Sequence, residues 1–340
     1  MRTGLIPENV YERSVYRIIH KYNKDLENRN RSYEVKGAAD KTDCTFFNNI
    51  QAIPESISFE LFSYEREDLW QGCIDLYVNE LMLRLACFKA KWPSDVDISI
   101  VLPESLDEPK LRILISNIVS SVSRYDIKIK VSDVRTSRCV SSVQISIMAV
   151  AIIALVDEKI EDSRDIVMLG RVADGAGVFL ARQYESRFNG RYSEEYIHRM
   201  QKLPIHSANM KIIFEEAQRA KCSVALGESG VYAALWKLGK FLKSGLVCDL
   251  QAIPVYQETI EVCDRLDINP YTTYSGGCII LLVNDGEAFV QRMNDKGIEA
   301  VHIGHLTQDN NRIIMVHEEQ RFLTAPELDG IYKEVQDGNP

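Results

Sequence analysis

The chain has 340 residues, 46% hydrophobic and 26% charged, with a formal net charge of −9. That length and apolar content suit about two packed domains and exclude a disordered or collagen-like chain. The acidic balance argues against a nucleic-acid partner, which needs a basic face.

The opening, MRTGLIPENVYERSVYR, lacks the apolar core of a signal peptide. ENVYERSVYRIIHKY reads as a helix, and the polar Asn23–Lys41 as a connection. An apolar element is expected over Cys44–Ile53. Asp68–Lys91 carries the clearest helical pattern of the first half. Its Trp70, Cys73, Ile74, Tyr77, Val78, Leu81, Met82 and Leu85 recur at three- and four-residue steps. Asp97–Leu102 reads as a strand. Ser105 and Glu108 have the spacing of a capping box for a helix to Arg124. Ile127–Val131 alternates like a strand, and Val140–Leu155 supplies another. The longest apolar run, Val143–Val156, is broken by Gln144 and Ser146 and is shorter than the roughly 20 residues that span a bilayer. It is expected to be a buried strand, with no membrane partner.

The charged connector Asp157–Arg164 marks the expected boundary between a domain over 1–156 and one over 165–335. Beyond it come a strand at Asp165–Leu169, a glycine turn at Asp174–Gly177 and a helix. Gly190–Ser207 is polar and reads as a loop or a helical excursion. Helices are expected near Ala208–Ala220, Ser229–Lys243 and Pro254–Leu266, and strands near Cys278–Val283, Ala300–Leu306 and Arg312–Glu318. Gly245 and Gly297 stand where helices would end in a left-handed residue. This mixture predicts an α/β protein of two domains. The eight cysteines (Cys44, Cys73, Cys87, Cys139, Cys222, Cys248, Cys263 and Cys278) include no CxxC pair. Reduced thiols in a cytoplasmic protein are therefore expected.

Glycines punctuate DIVMLGRVADGAGVFLARQ, VALGESGVYAALWKLGKFLKSG, IPVYQETIEVCDRLDINPY and YSGGCIILLV, all between Asp165 and Val283. The order of these pieces resembles the carboxyl-terminal domain of the aminoimidazole ribonucleotide (AIR) synthase-related superfamily. Thiamine monophosphate kinase, selenophosphate synthetase and the hydrogenase-maturation carbamoyl dehydratase are members, and the last is nearest in appearance. The resemblance implies a two-domain fold whose amino-terminal strands pair across a homodimer. It also implies ATP with Mg2+ as cofactors, and phosphoryl transfer to an amide or carbonyl oxygen of a small-molecule substrate.

On the family pattern, VKGAADKTDC supplies Gly37, Asp40 and Asp43 to a nucleotide loop, with Asp43 as first magnesium ligand. Without the family, the same loop is a solvated acidic turn. Glu80 stands where the family has an aspartate, and Asp133 follows Val131-Ser132 where it has two glycines. Asp43, Glu80 and Asp133 are thus the expected metal set. Alternatively, Glu80 belongs to a polar helix face and Asp133 caps a turn. Gly227, Glu228 and Gly230 in VALGESGV are expected to touch an anion at a helix start, or to pack a tight turn. Val224 and Ala225 replace the family's His-Asp. His302-Ile303-Gly304-His305 spells the signature of class I aminoacyl-tRNA synthetases, but too near the carboxyl end and without its partner motif. The tail, VQDGNP, lacks the terminal cysteine of the hydrogenase-maturation relatives, so it is not expected to carry a carbamoyl group. Ser229 and Ser275 have no legible histidine–acid partner, so no serine nucleophile is expected. The rival to an ATP-dependent enzyme is a non-catalytic dimeric relative that binds a small ligand or a protein partner.

Overall fold

The computed structural model describes residues 4–30, 51–61, 67–153, 164–202, 209–326 and 328–332. Gly37, Asp40 and Asp43 lie outside the described residues, as do most of the connector and the tail from 333. The chain separates into two compact units. The first holds residues 1–81 and 89–156, and the second 82–88 and 157–340.

The first unit runs β1 (Gly4–Leu5), α1 (Glu8–Tyr11), a π-helical turn (Glu12–Tyr16), α2 (Arg17–Asn30), β2 (Gln51–Glu60), α3 (Glu67–Cys87), β3 (Asp95–Pro103), α4 (Glu108–Ser123), β4 (Lys128–Ser137) and β5 (Gln144–Ile153). The residues of α3 beyond Leu81 cluster with the second unit. Its five strands form one sheet in the order β1-β4-β3-β5-β2. β3 and β4 are parallel and joined by α4; the other pairs are antiparallel. Ile98, Ile100, Ile145, Ile147, Ile57 and Phe59 alternate onto the inner face and are buried.

Two expectations are corrected here. The stretch from Asn23 to Asn30 is helix, not connection. Val15, Ile19, Tyr22 and Leu26 step by three and four residues into the core. Polar Asn23 binds backbone: it accepts from the Ile129 N–H at 3.0 Å and donates to its carbonyl at 2.8 Å. The second correction concerns α4. Asp107, not Ser105, caps it, accepting from the Lys110 N–H at 2.9 Å. Asp107→Ala is expected to cost about 1 kcal/mol, read as a lower urea midpoint at unchanged slope.

β4 holds a bulge. Ile98 faces Val131 and Ser99 faces Asp133, so Ser132 is the extra residue. The strand expected to end at Val131 therefore continues to Ser137.

The second unit runs β6 (Asp165–Leu169), α5 (Asp174–Gln183), α6 (Glu194–Met200), α7 (Met210–Arg219), β7 (Cys222–Ala225), α8 (Gly230–Leu242), β8 (Gly245–Asp249), α9 (Gln257–Arg265), β9 (Ile279–Val283), α10 (Gly286–Asp295), β10 (Ala300–Thr307), β11 (Arg312–Val316) and β12 (Glu319–Phe322). Its seven strands are ordered β12-β11-β8-β10-β6-β9-β7. β9 is buried at every position, as a strand covered on both faces must be. α8 packs on the face carrying Ile166, Met168, Ile280 and Leu282. Asp174–Gly177 is the first turn of α5 rather than a loop. Lys243, at φ 52°, ends α8, and Gly245 already opens β8; Gly297 does follow α10 at φ +72°. No helix among the described residues is long and apolar enough to cross a membrane.

Candidate functional site

The second unit gathers unusual features at one end of its sheet. β6 ends there, and β7 ends beside the start of β9. Each of β6 and β7 passes into a helix through a left-handed, non-glycine residue: Ala173 at φ 58° before α5, and Ser229 at φ 62° before α8. Such residues cost roughly 1–3 kcal/mol each and collect at functional sites. Ser275, 3% exposed, joins the two helix starts. Its hydroxyl accepts from the Ala173 N–H at 3.0 Å and donates to the Thr273 carbonyl at 2.8 Å. Its own N–H donates to the Gly227 carbonyl at 3.1 Å. That hydroxyl is engaged in two hydrogen bonds to backbone.

Asp174 is the first residue of α5 and is 7% exposed. Its Oδ1 has no hydrogen-bond partner among the described residues. Burial pushes its carboxyl up to about 8, with Arg171 pulling it down and Glu299 pushing it further up. A carboxyl that titrates near neutrality can give or take a proton at working pH. Arg171 binds Glu299 at 2.7 Å and lies 4.0 Å above the Tyr256 ring. Cys278 donates to the Arg171 carbonyl at 2.9 Å. Burial raises that thiol well above its ordinary range, so it is no nucleophile.

Gly227, Glu228 and Gly230 do meet at the start of α8. The group they surround is Asp329, 1% exposed, which accepts from the N–H groups of Ser229 at 2.6 Å, Ile331 at 2.8 Å and Tyr274 at 3.1 Å. Burial raises the Asp329 carboxyl, these N–H groups lower it, and the exposed Glu228 raises it again. A side chain at Gly230 would meet the Thr273 and Tyr271 carbonyls at 2.6 Å, so the turn requires glycine. An internal carboxylate thus takes the Ser229 N–H, the cap donor of α8 that an anion there would use.

The carboxylates of the first unit are apart. Glu80 is 9% exposed on α3, a helix whose Tyr77 stacks on Phe59 of the inner sheet face, at 4.1 Å between ring centres. Asp133, beyond the bulge, is in register with Ser99 on the outer face and is ion-paired with Arg135. Glu80 and Asp133 therefore do not make one cation site between them. Among the described residues, no group of three or more His, Cys, Asp or Glu side chains could hold a metal. Asp43, third of the expected set, is outside those residues.

His302 and His305 lie on β10, where Gly304 sits between a bulge and the pairing with β8. A Cβ there would stand 2.0 Å from the Val247 carbonyl oxygen. The His-Ile-Gly-His string is sheet architecture.

Sequence reasoning missed Asp174, Ser275's bridging role and Asp329. One signal was present: Asp174 is the only charged residue in VADGAGVFLA.

No family model matches the chain. A hydrogenase expression/formation protein of Methanocaldococcus jannaschii is 21% identical over 250 residues, which are 71% of this chain and 72% of that protein. E. coli HypE, a hydrogenase maturation protein, matches at a TM-score of 0.67 and 14% identity, over 94% of this chain and 99% of that one. HypE in complex with ATP matches at 0.64 and 14%, over 92% and 96%. Thiamine-monophosphate kinase of Stenotrophomonas maltophilia matches at 0.63 and 13%, over 88% and 96%. At these identities the likeness establishes the fold. It is the two-domain α/β fold that the AIR synthase-related resemblance implied, with hydrogenase maturation proteins among its neighbours.

Proposed function

We propose that the protein is an ATP-binding, cytoplasmic homodimer related to hydrogenase maturation factors. It uses ATP with magnesium to activate an amide or carbonyl oxygen of a small molecule. The observation that carries this reading is the shared fold, over nearly the whole chain, with a hydrogenase maturation protein solved with ATP. Magnesium chemistry suits one or two carboxylates plus phosphate oxygens, which gives Asp43 beside Gly37 and Asp40 the role of holding the ion on the triphosphate. Bound there, magnesium supplies charge neutralisation. The protein's own task is to position nucleotide and substrate and to keep water out.

Two features of the first unit support a dimer. β2 is a ten-residue edge strand with no neighbour on its outer side among the described residues. On the outer face beside it, Met148 and Val150 are exposed, at 39% and 53%. Light scattering at micromolar protein should return twice 38.7 kDa. Calorimetry should detect ATP only with magnesium, and Asp43→Asn should abolish that heat and leave the fold intact. A monomer that binds no nucleotide at millimolar ATP would sink the enzyme reading.

One observation favours the rival, a non-catalytic relative that binds a ligand or a protein partner. Asp329 takes the Ser229 N–H at the start of α8, and Val224 and Ala225 on β7 bring no acid or base. Loss of ATP binding with retention of the dimer would select it.

A further inference from the structure

The opposite end of the second unit's sheet has a different chemistry. There β7 begins and β9 ends, between α7 and α10. A cleft of about 470 Å³ opens among them, lined by Arg219, Lys221, Arg292 and Lys296 and by the carboxylates of Glu216 and Asp285. Four cations face two acids, an excess of two positive charges in a chain whose formal net charge is −9.

The cations are held in place. Glu216, 2% exposed, binds Lys296 at 3.2 Å, and Arg219 and Arg292 at 3.3 Å each. One carboxylate cannot neutralise three cations, so it fixes their positions and leaves charge over. Asp285 accepts from the Ala288 N–H at 3.0 Å as the cap of α10, which directs its carboxylate to the helix. Lys221 is set by its backbone N–H, 3.1 Å from the Leu282 carbonyl, and is half-buried. Its ammonium has no partner among the described residues. An uncompensated, half-buried lysine beside two guanidinium groups calls for an anion. A second cavity, of about 450 Å³, shares Lys221 and adds Arg164 and Lys243.

We propose that this cleft binds a phosphate group, free or as the monoester of a small molecule, with Lys221 as its central contact. Guanidinium forks match phosphate oxygens in geometry, and two surplus charges match a phosphate dianion. The volume lies within the roughly 300–1,000 Å³ of small-molecule sites, and Val283, Ala288 and Phe289 give an apolar wall for an organic part. The cleft is built from residues other than those of the proposed nucleotide loop, and the protein itself supplies the countercharge, so no magnesium is required.

The test is calorimetry of the full chain with inorganic phosphate and with phenyl phosphate, both in chelator. One saturable site is expected. Lys221→Gln should weaken it about tenfold or more, the scale of one charge-assisted contact. Arg219→Gln should weaken it further, and Lys237→Gln, on the exposed side of α8, should change nothing. Tighter phenyl phosphate identifies a monoester site, and equal affinities identify free phosphate. Magnesium-dependent ATP binding should survive Lys221→Gln, so failure here and failure of the nucleotide reading are separable. No saturable binding at about 10 mM phosphate, or wild-type binding by Lys221→Gln, would overturn the proposal.

Discussion

Replacing Asp174 by asparagine is expected to stabilise the protein at alkaline pH. The folded carboxyl is pushed up by burial from 3.8 to about 8, and Oδ1 has no partner among the described residues. A group raised in the folded state contributes stability that is fully present below its unfolded pKa. That stability is lost as pH rises through the folded value. The window therefore opens near pH 4 and closes near pH 8. A difference of one unit between folded and unfolded pKa corresponds to about 1.4 kcal/mol, so the ionised group costs the fold up to about 6 kcal/mol above pH 8. The amide of Asp174→Asn cannot ionise and keeps the shape. Urea unfolding should show the two proteins alike near pH 4 and the variant ahead near pH 9. Parallel curves at both pH values would mean that the carboxylate meets water or a cation. The same variant should lose ligand binding if this end of the sheet holds the active site.

Gly304→Ala should be severely destabilising, by about 3 kcal/mol or more. The new Cβ would stand 2.0 Å from the Val247 oxygen and 2.8 Å from the Cys248 Cα, both backbone atoms of β8. Backbone in the middle of a sheet cannot give way as a side chain can. His302→Ala and His305→Ala should each stay within about 1 kcal/mol, because both side chains are at least partly exposed. Thermal melts of the three variants test this together. A Gly304→Ala protein as stable as wild type would refute the close approach of β10 to β8. A fall on losing either histidine comparable to that of Gly304→Ala would return chemistry to the tetrapeptide.

Elements with strong periodicity were legible in the sequence. α3 was readable from its apolar steps between Trp70 and Leu85, and β9 from an apolar run that stays buried on both faces. β2 was largely missed because Pro54 and three polar residues (Ser56, Ser58 and Glu60) interrupt it. Those residues suit an edge strand with one exposed face. The second half of α2 was missed because Leu26 is its one buried core residue among the described residues and its polar Asn23 and Glu27 bind partners 106 and 101 residues along the chain. The helix starts of the second unit were visible as glycine junctions, but their occupants were not. Asp329 reaches Ser229 across 100 residues, and Ser275 reaches Ala173 across 102. No local pattern encodes such pairings. Family resemblance directed attention to Gly227 and Gly230, whereas Asp174, a buried carboxyl whose Oδ1 has no partner among the described residues, lay on a neighbouring helix.

Ser275 ties the starts of α5 and α8 to each other. Its hydroxyl holds the residue before α5, and its amide holds the carbonyl of Gly227, two residues before Ser229. Both attachments run through a single buried residue, with no slack chain between them. A displacement of one helix start must therefore pull on the other. Protonation at Asp174 would be felt at Ser229, and release of Asp329 would be felt at Ala173. Two places that look like separate turns respond as a single lever with Ser275 as its pivot.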